Sequence, residues 1–415
     1  MPARFFEGCF SAPRWHALWA AMAGFLLDAM DVLLYVFAIG AIRSEFHLTN
    51  AQAGLVASVT LITSAAGGIV CGLLSDRIGR KRTLIYTILT YSLASAGTAA
   101  SHTLGQLVFW RALVGIGLGG EWSAGATLVS ESWPVEHRAK AIGFMQSGWA
   151  IGYMAAAAVS AIVIPRFGWR ALFLAGVLPA LVTVAIRRKV REPPVWTEQR
   201  RDRGRLSLAP LFRGETGRRT VLATTLTTTV LFAYWGLFTW LPGFLGSPVA
   251  AGGAGLNIVS TSGFVFILQA GAFAGYLSFG WLADRFGRRP VFAAYVTGAA
   301  LLTPLYGLAP RFVGGAAEAA LLILGPLVGF LGTGFFALFG AMLAELYPTA
   351  IRGAGQGFTY NFGRGMSALA PYAIGHAADR TGLGFALALN SGFFLLGALL
   401  VFTLPETRDT RLDNV

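Results

Sequence analysis

Apolar residues along this chain gather in twelve long runs separated by short polar or turn-rich breaks. The runs lie near 15–42, 50–74, 83–101, 104–130, 139–164, 169–187, 219–245, 256–283, 290–308, 316–345, 353–377 and 382–404. A helix crossing about 30 Å of hydrocarbon needs about 20 such residues. The pattern predicts an all-α membrane protein with twelve transmembrane helices. They fall into two sets of six, over residues 1–187 and 219–415. The segment between them, 188–218, is rich in Arg and Lys and lacks apolar periodicity, so it reads as a cytoplasmic linker.

Two stretches repeat, and each sits at the same place in its set. Gly72-Leu-Leu-Ser-Asp76-Arg77-Ile-Gly-Arg80-Lys-Arg82 recurs 208 residues later as Gly280-Trp-Leu-Ala-Asp284-Arg285-Phe-Gly-Arg288-Arg-Pro290. Glu131-Ser-Trp-Pro134 with Arg138 recurs 214 residues later as Glu345-Leu-Tyr-Pro348 with Arg352. Arg191-Glu192-Pro193 after the sixth run has a weaker echo in Pro405-Glu406 after the twelfth. Echoes at nearly one offset mark a duplication. The expected architecture is two pseudo-symmetric six-helix bundles with a cavity between them near the membrane midplane.

Composition agrees with that pattern. Hydrophobic residues make up 55% of the 415 and charged residues only 12%, about half the charge of a soluble domain. The net charge of +13 invites a nucleic-acid reading, but its distribution argues otherwise. With the N-terminus inside, 25 of the 32 Lys and Arg fall in cytoplasmic segments. Five fall in outer loops and two inside spans. This is the positive-inside asymmetry. It places both termini in the cytoplasm of a cell (inner) membrane and makes the lipid bilayer, not nucleic acid, the partner. The two cysteines, Cys9 and Cys71, have no metal-ligand or disulfide spacing, so no metal is expected.

The repeated motifs resemble those of the major facilitator superfamily. The Gly-x-Leu-x-Asp-Arg-x-Gly-Arg pattern after spans two and eight looks like its gating loop. Arg111-x-x-x-Gly115-x-Gly117-x-Gly119 in span four looks like its second motif. More narrowly, Gly119-Gly-Glu121-Trp-Ser-Ala-Gly125, Glu131-Ser-Trp-Pro134 and Gln146-Ser-Gly-Trp149-Ala-Ile-Gly-Tyr153 are similar to the sialate:proton symporter group, which includes sialic-acid permeases and fungal lactate permeases. The lactate carriers have an Asn/His/Gln/Asp signature in span seven. Here that span reads Thr224-Thr-Leu-Thr-Thr-Thr229 and Tyr234-Trp235. The resemblance implies alternating access by a secondary transporter with no cofactor, driven by the proton gradient and acting as a monomer.

Ionisable side chains at bilayer depth are costly and are functional candidates by default. The set is Asp28, Asp31, Arg111, Glu121 and Arg364. Asp28 and Arg364 lie near the middles of spans one and eleven, and Asp31 lies one turn from Asp28 on the same face. A carboxylate beside an arginine stays ionised. Once the arginine turns to a substrate anion, desolvation favours protonation, and proton and anion then cross as a nearly neutral load. The resemblance assigns proton coupling to Asp31 with Arg111, as in sugar:proton members. Asp28 and Glu121 are further candidates. Arg364 with Asn361 is the expected carboxylate site, because a guanidinium fork matches a carboxylate and stays charged. Tyr360, Gln269, Tyr234, Trp235, Gln146, Trp149, Tyr153 and Tyr35, together with Phe335 and Phe336, are the expected pocket. Asp76, Arg77, Arg80, Glu131, Arg138, Asp284, Arg285, Arg288, Glu345 and Arg352 are expected to latch and release the cytoplasmic ends.

Bland alternatives exist for each group. Asp28 with Arg364 also reads as a bridge between two helices, and Arg111 as a cap on backbone carbonyls. Gly115-Ile-Gly117-Leu-Gly-Gly120 matches a dinucleotide fingerprint, but it lies inside an apolar span with no preceding strand. Close helix packing explains it better. The expectation is a proton-coupled importer of a small organic anion, either a monocarboxylate such as lactate or pyruvate or an acidic sugar such as sialic acid. The alternatives are an antiporter exporting neutral or cationic drug-like solutes and a non-transporting nutrient sensor. Nothing in the buried charges resembles enzyme machinery.

Overall fold

The computed structural model describes residues 13–78, 80–119, 129, 132–133, 135–177, 208–348 and 351–407. Among these the chain is helical throughout, with no strand. The helices are α1 (Pro13–Phe46), α2 (Asn50–Ile78), α3 (Arg80–Ala99), α4 (Leu104–Leu118), α5 (Val135–Ala175), α6 (Gly214–Phe238), α7 (Leu241–Gly246), α8 (Ile258–Phe286), α9 (Arg288–Phe312), α10 (Ala317–Gly334), α11 (Phe336–Leu346), α12 (Arg352–Ser367), α13 (Ala370–Thr381) and α14 (Leu383–Leu400).

The twelve predicted spans map onto these helices with local differences. Spans five and six run together as α5, which bends where Gly168 takes a left-handed φ of 74°, a region open to glycine at no steric cost. Span seven starts five residues before its expected position, at Gly214. Glu215 stands in its first turn and bonds Arg218 and Arg219 one turn on. A first-turn acid suits the helix dipole, so charged residues that read as linker extend the helix. Spans ten and eleven are each split, at Gly334–Phe335 and at Ala368–Leu369.

Among the described residues, eight helices are long and apolar enough to cross a membrane. The remaining spans fall short for visible reasons. The α3 helix opens on Arg80-Lys-Arg82 and α4 is described for 15 residues. The sixth span is merged with the fifth, and the eleventh is broken and polar around Asn361 and Arg364. Side chains such as Leu93, Ile323 and Leu399 point outward and are more than 60% exposed, as an apolar girdle facing lipid requires.

The halves meet through α2 against α12 and α13, and through α8 against α5. Spans two and eight are copies, as are five and eleven, so this is the paired contact that a duplicated bundle makes about a pseudo-two-fold axis. Small residues set the spacing. A Cβ on Gly115 or Gly119 would collide with α2 at Thr60, Thr63 and Ser64, and one on Gly117 would collide with Tyr91 of α3. The second half repeats the device, with Gly271, Gly275 and Gly329 sealing α8 against α10. The glycine run in span four is therefore a packing surface.

Candidate substrate and proton site

A narrow cavity of about 40 Å³ lies between the halves. From the first half it takes Phe25, Asp28 and Val32 of α1, Leu118 of α4, and Gln146 and Trp149 of α5. From the second it takes Leu231, Tyr234 and Trp235 of α6, Tyr276 of α8, Phe336 of α11, and Tyr360 and Arg364 of α12. Asp28 and Arg364 are 5% and 7% exposed. They face this space from opposite halves, near enough for their charges to act on each other.

Aromatic rings make most of the wall, and they interlock. The Trp149 indole N–H donates to the Tyr234 hydroxyl at 2.6 Å, joining the halves. Tyr234 meets Phe336 edge-on at 4.8 Å between centroids, and Trp149 meets Trp235 edge-on at 6.0 Å. Phe25 packs on Trp149 at 5.1 Å. Gln146 reaches across to the Phe336 carbonyl at 3.5 Å.

Seven of the twelve residues expected at the substrate site therefore line the cavity: Arg364, Tyr360, Tyr234, Trp235, Gln146, Trp149 and Phe336. Five do not. The Tyr153 hydroxyl is committed to the Phe238 carbonyl at 2.9 Å, tying α5 to α6. The Tyr35 hydroxyl donates to the Ala53 carbonyl at 2.9 Å. Asn361 turns its amide back to the Gly357 carbonyl of its own helix at 3.0 Å, with its oxygen against Gly68. Gln269 is buried in α8 two turns before Tyr276 and outside the cavity wall. Phe335 packs among Phe292, Phe339 and Phe394 instead. Span-level reasoning fixes depth well but leaves the helix face open, and a one-residue rotation of 100° separates Phe336 from Phe335. Phe25 was missed, although it lies three residues before Asp28 on the same face. Tyr276 was missed too, and its apolar surroundings gave no distinct signal.

A second charged cluster lies away from the cavity. Asp31 accepts from the Ser95 hydroxyl of α3 at 2.9 Å. Arg111 of α4 sits over the rings of Tyr35 and Phe173 at 5.1 and 5.8 Å. Asp31 and Arg111 are 2% and 1% exposed, and their charges act on each other without a direct ion pair. Tyr35 thus supports Arg111 rather than a ligand. Glu121 lies outside the described residues.

At the end of the molecule with the basic loops, Arg288 donates to Asp284 at 2.7 Å and pairs with Glu345 at 3.5 Å. Lys140 of α5 joins Asp284 at 3.6 Å while lying over the Trp281 ring, so the second-half motif is tied to the first half. Glu406 accepts from the Arg288 and Arg289 backbone N–H groups at 2.9 and 3.0 Å. Glu406 of the motif after span twelve thus caps the start of α9. Arg285 lies over Phe286, and Arg352 opens α12. Residues Glu131 and the side chains of Asp76, Arg77, Arg80 and Arg138 lie outside the described residues. At the opposite end Asp379 of α13 accepts from the Asn50 and Ala51 N–H groups at 2.9 and 3.0 Å, capping α2 across the halves.

Residues 21–278 and 250–414 match the family model of the Major Facilitator Superfamily. The chain belongs to that superfamily. It is 35% identical over 406 residues to the probable 4-methylmuconolactone transporter of Cupriavidus pinatubonensis, covering 96% of this chain and 92% of that protein. It is 31% identical over 434 residues to the niacin transporter NiaP of Acinetobacter baylyi, covering 96% and 95%. The sialic acid transporter NanX of Escherichia coli is 29% identical over 401 residues, covering 95% of each. This last likeness bears out the narrower resemblance read from spans four and five. A crystal structure of a D-xylose-proton symporter superposes with a TM-score of 0.74 over 94% of this chain and 98% of that one. At 19% identity it speaks for the fold alone. The superfamily member described here is a multi-pass membrane transporter and not an enzyme.

Proposed function

We propose that this transporter imports a small organic acid carrying a flat ring, together with a proton, across the inner membrane with both termini in the cytoplasm. The observation that carries this reading is Asp28 and Arg364 facing one another across an aromatic-walled cavity between the halves. An arginine at the midplane suits an anion. A cationic drug would be repelled by it, and a neutral one would gain nothing from its charge. Rings packed edge to face suit a planar solute, which can add offset or edge contacts of its own. The relatives named for a lactone and for niacin favour a ring-bearing acid over lactate or pyruvate. The relative named for sialic acid keeps an acidic sugar within the class.

In the mechanism, Arg364 serves Asp28 when the cavity is empty. An arriving carboxylate takes the guanidinium for itself. Asp28 then has no counter-charge in a space of low dielectric and takes a proton, because an unpaired buried carboxylate is too costly to keep ionised. The loaded cavity is close to neutral, so the halves can rock past each other. Asp31, held by Ser95 beside Arg111, is the second acid on the proton's path. The inward asymmetry of basic residues supports the orientation.

Proteoliposomes with an imposed inward proton gradient test the reading. Radiolabelled nicotinate, a muconolactone and sialic acid are offered in turn. Accumulation of at least one above its equilibrium level, abolished by a protonophore, is expected. Failure of every acid to accumulate above equilibrium would overturn symport.

A further inference from the structure

Three hydrogen-bond donors stand in the cavity wall without an acceptor, and they are not at one point. Arg364, on α12, has a buried Nε with no protein partner among the described residues. Trp235, on α6, has a buried indole Nε1 in the same condition. An indole N–H can only donate. Tyr234, beside it, receives the Trp149 N–H on its oxygen. Its own hydroxyl proton finds no acceptor among the described residues. Trp235 and Tyr234 are 6% and 3% exposed, and both line the cavity with their rings nearly perpendicular, 5.2 Å apart.

Buried donors are almost always satisfied, and one left unmade costs free energy. Several other buried aromatic side chains follow that rule. Tyr153 bonds the Phe238 carbonyl, Tyr35 the Ala53 carbonyl and Trp240 the Pro371 carbonyl. The Tyr306 hydroxyl is also without a partner among the described residues but lies outside the cavity wall, whereas Trp235 and Tyr234 belong to it. One carboxylate held by Arg364 on α12 does not account for donors on α6.

We propose that Trp235 and Tyr234 form an acceptor-reading subsite: the cavity selects ring acids bearing a second hydrogen-bond acceptor, such as a ring nitrogen, lactone carbonyl or second carboxylate, away from the carboxylate that Arg364 takes. This rests on the reading of Arg364 as the carboxylate anchor. The logic of discrimination is the asymmetry of buried polar sites. A solute of the same shape without the acceptor still fills the space, but leaves the donors desolvated and unpaired. Such a site rejects the deficient analogue more strongly than an apolar pocket rejects a missing methylene.

The matched probes are benzoate and the three pyridine carboxylates, which differ from it by one ring atom. Binding of each to purified full-length protein is measured by calorimetry. At least one pyridine carboxylate is expected to bind about tenfold to a hundredfold more tightly than benzoate, the span of one buried donor satisfied or not. Trp235→Phe or Tyr234→Phe should collapse that ratio toward one, with the larger loss falling on the pyridine carboxylate. Equal binding of all four acids to the wild type would overturn the subsite while leaving the carboxylate anchor intact. A preference that survives both substitutions would also overturn it. Absence of binding by every acid would bring down the anchor reading, and the subsite with it.

Discussion

Replacing Arg364 with alanine separates an anion anchor from a structural bridge. Arg364 is 7% exposed, lines the cavity and has an Nε with no protein partner among the described residues. A bound carboxylate would receive two charge-assisted bonds from its fork. Each contributes about 1.5 kcal/mol or more, so their loss amounts to about 3 kcal/mol, or roughly a hundredfold in affinity. Lysine retains the charge but not the fork and should recover part of this. Alanine also strips Asp28 of its cation, and removing one partner of a buried pair costs about 3–5 kcal/mol of stability. The double variant Asp28→Asn, Arg364→Ala should restore the thermal midpoint without restoring binding. The assay is calorimetric titration with nicotinate alongside thermal unfolding in detergent. If Arg364→Ala binds nicotinate with wild-type affinity while losing stability, the residue is a bridge between spans one and eleven, and the anchor reading is refuted.

Other consequences follow from the ends of the bundle. A leucine at Gly54 would drive into the Pro371 carbonyl and Tyr372, wedging α2 from α13. Labelling of a cysteine placed at Asn50 by an impermeant maleimide should rise severalfold, and unchanged labelling would show that the two helices part without resistance. Asp379→Asn removes the charge on the amides of Asn50 and Ala51, worth about 0.3–1 kcal/mol at a helix N-terminus. A smaller rise in the same labelling, of roughly two- to fivefold, is expected. Lys140→Ala breaks the tie to Asp284 and should raise cysteine labelling from the basic end, while Arg285→Ala, which touches neither half-to-half contact, should not. Gly119→Ala collides with α2 and should lower the thermal midpoint more than Gly263→Ala, where a Cβ meets nothing.

The architecture was largely legible because its signals are one-dimensional. Run length reports the bilayer, charge asymmetry reports the sides, and the offsets of 208 and 214 residues report duplication. The duplication shows again at the seam, where α2 meets α12 and α13 and its copy α8 meets α5. The depth of Asp28 and Arg364 was legible for the same reason. What was not legible is azimuth. Nothing in the sequence says that Phe335 points away from the cavity and Phe336 into it, or that Tyr153 and Tyr35 spend their hydroxyls on carbonyls of other helices. Ser95 and Lys140 were missed because each acquires meaning only from a partner distant in sequence, Asp31 and Asp284. The glycine run of span four was separable from a nucleotide motif because its setting, not its spacing, carried the information.

The central claim is that a carboxylate arriving at Arg364 makes Asp28 take up a proton from the medium. Detergent-solubilised protein in weakly buffered solution, with a pH dye present, tests it directly. Addition of a bound acid such as nicotinate should draw protons from the medium, approaching one per site near neutral pH. Asp28→Asn should abolish that uptake while retaining binding, and Asp31→Asn should leave it in place. Binding without proton uptake by the wild type, or undiminished uptake by Asp28→Asn, would contradict the account.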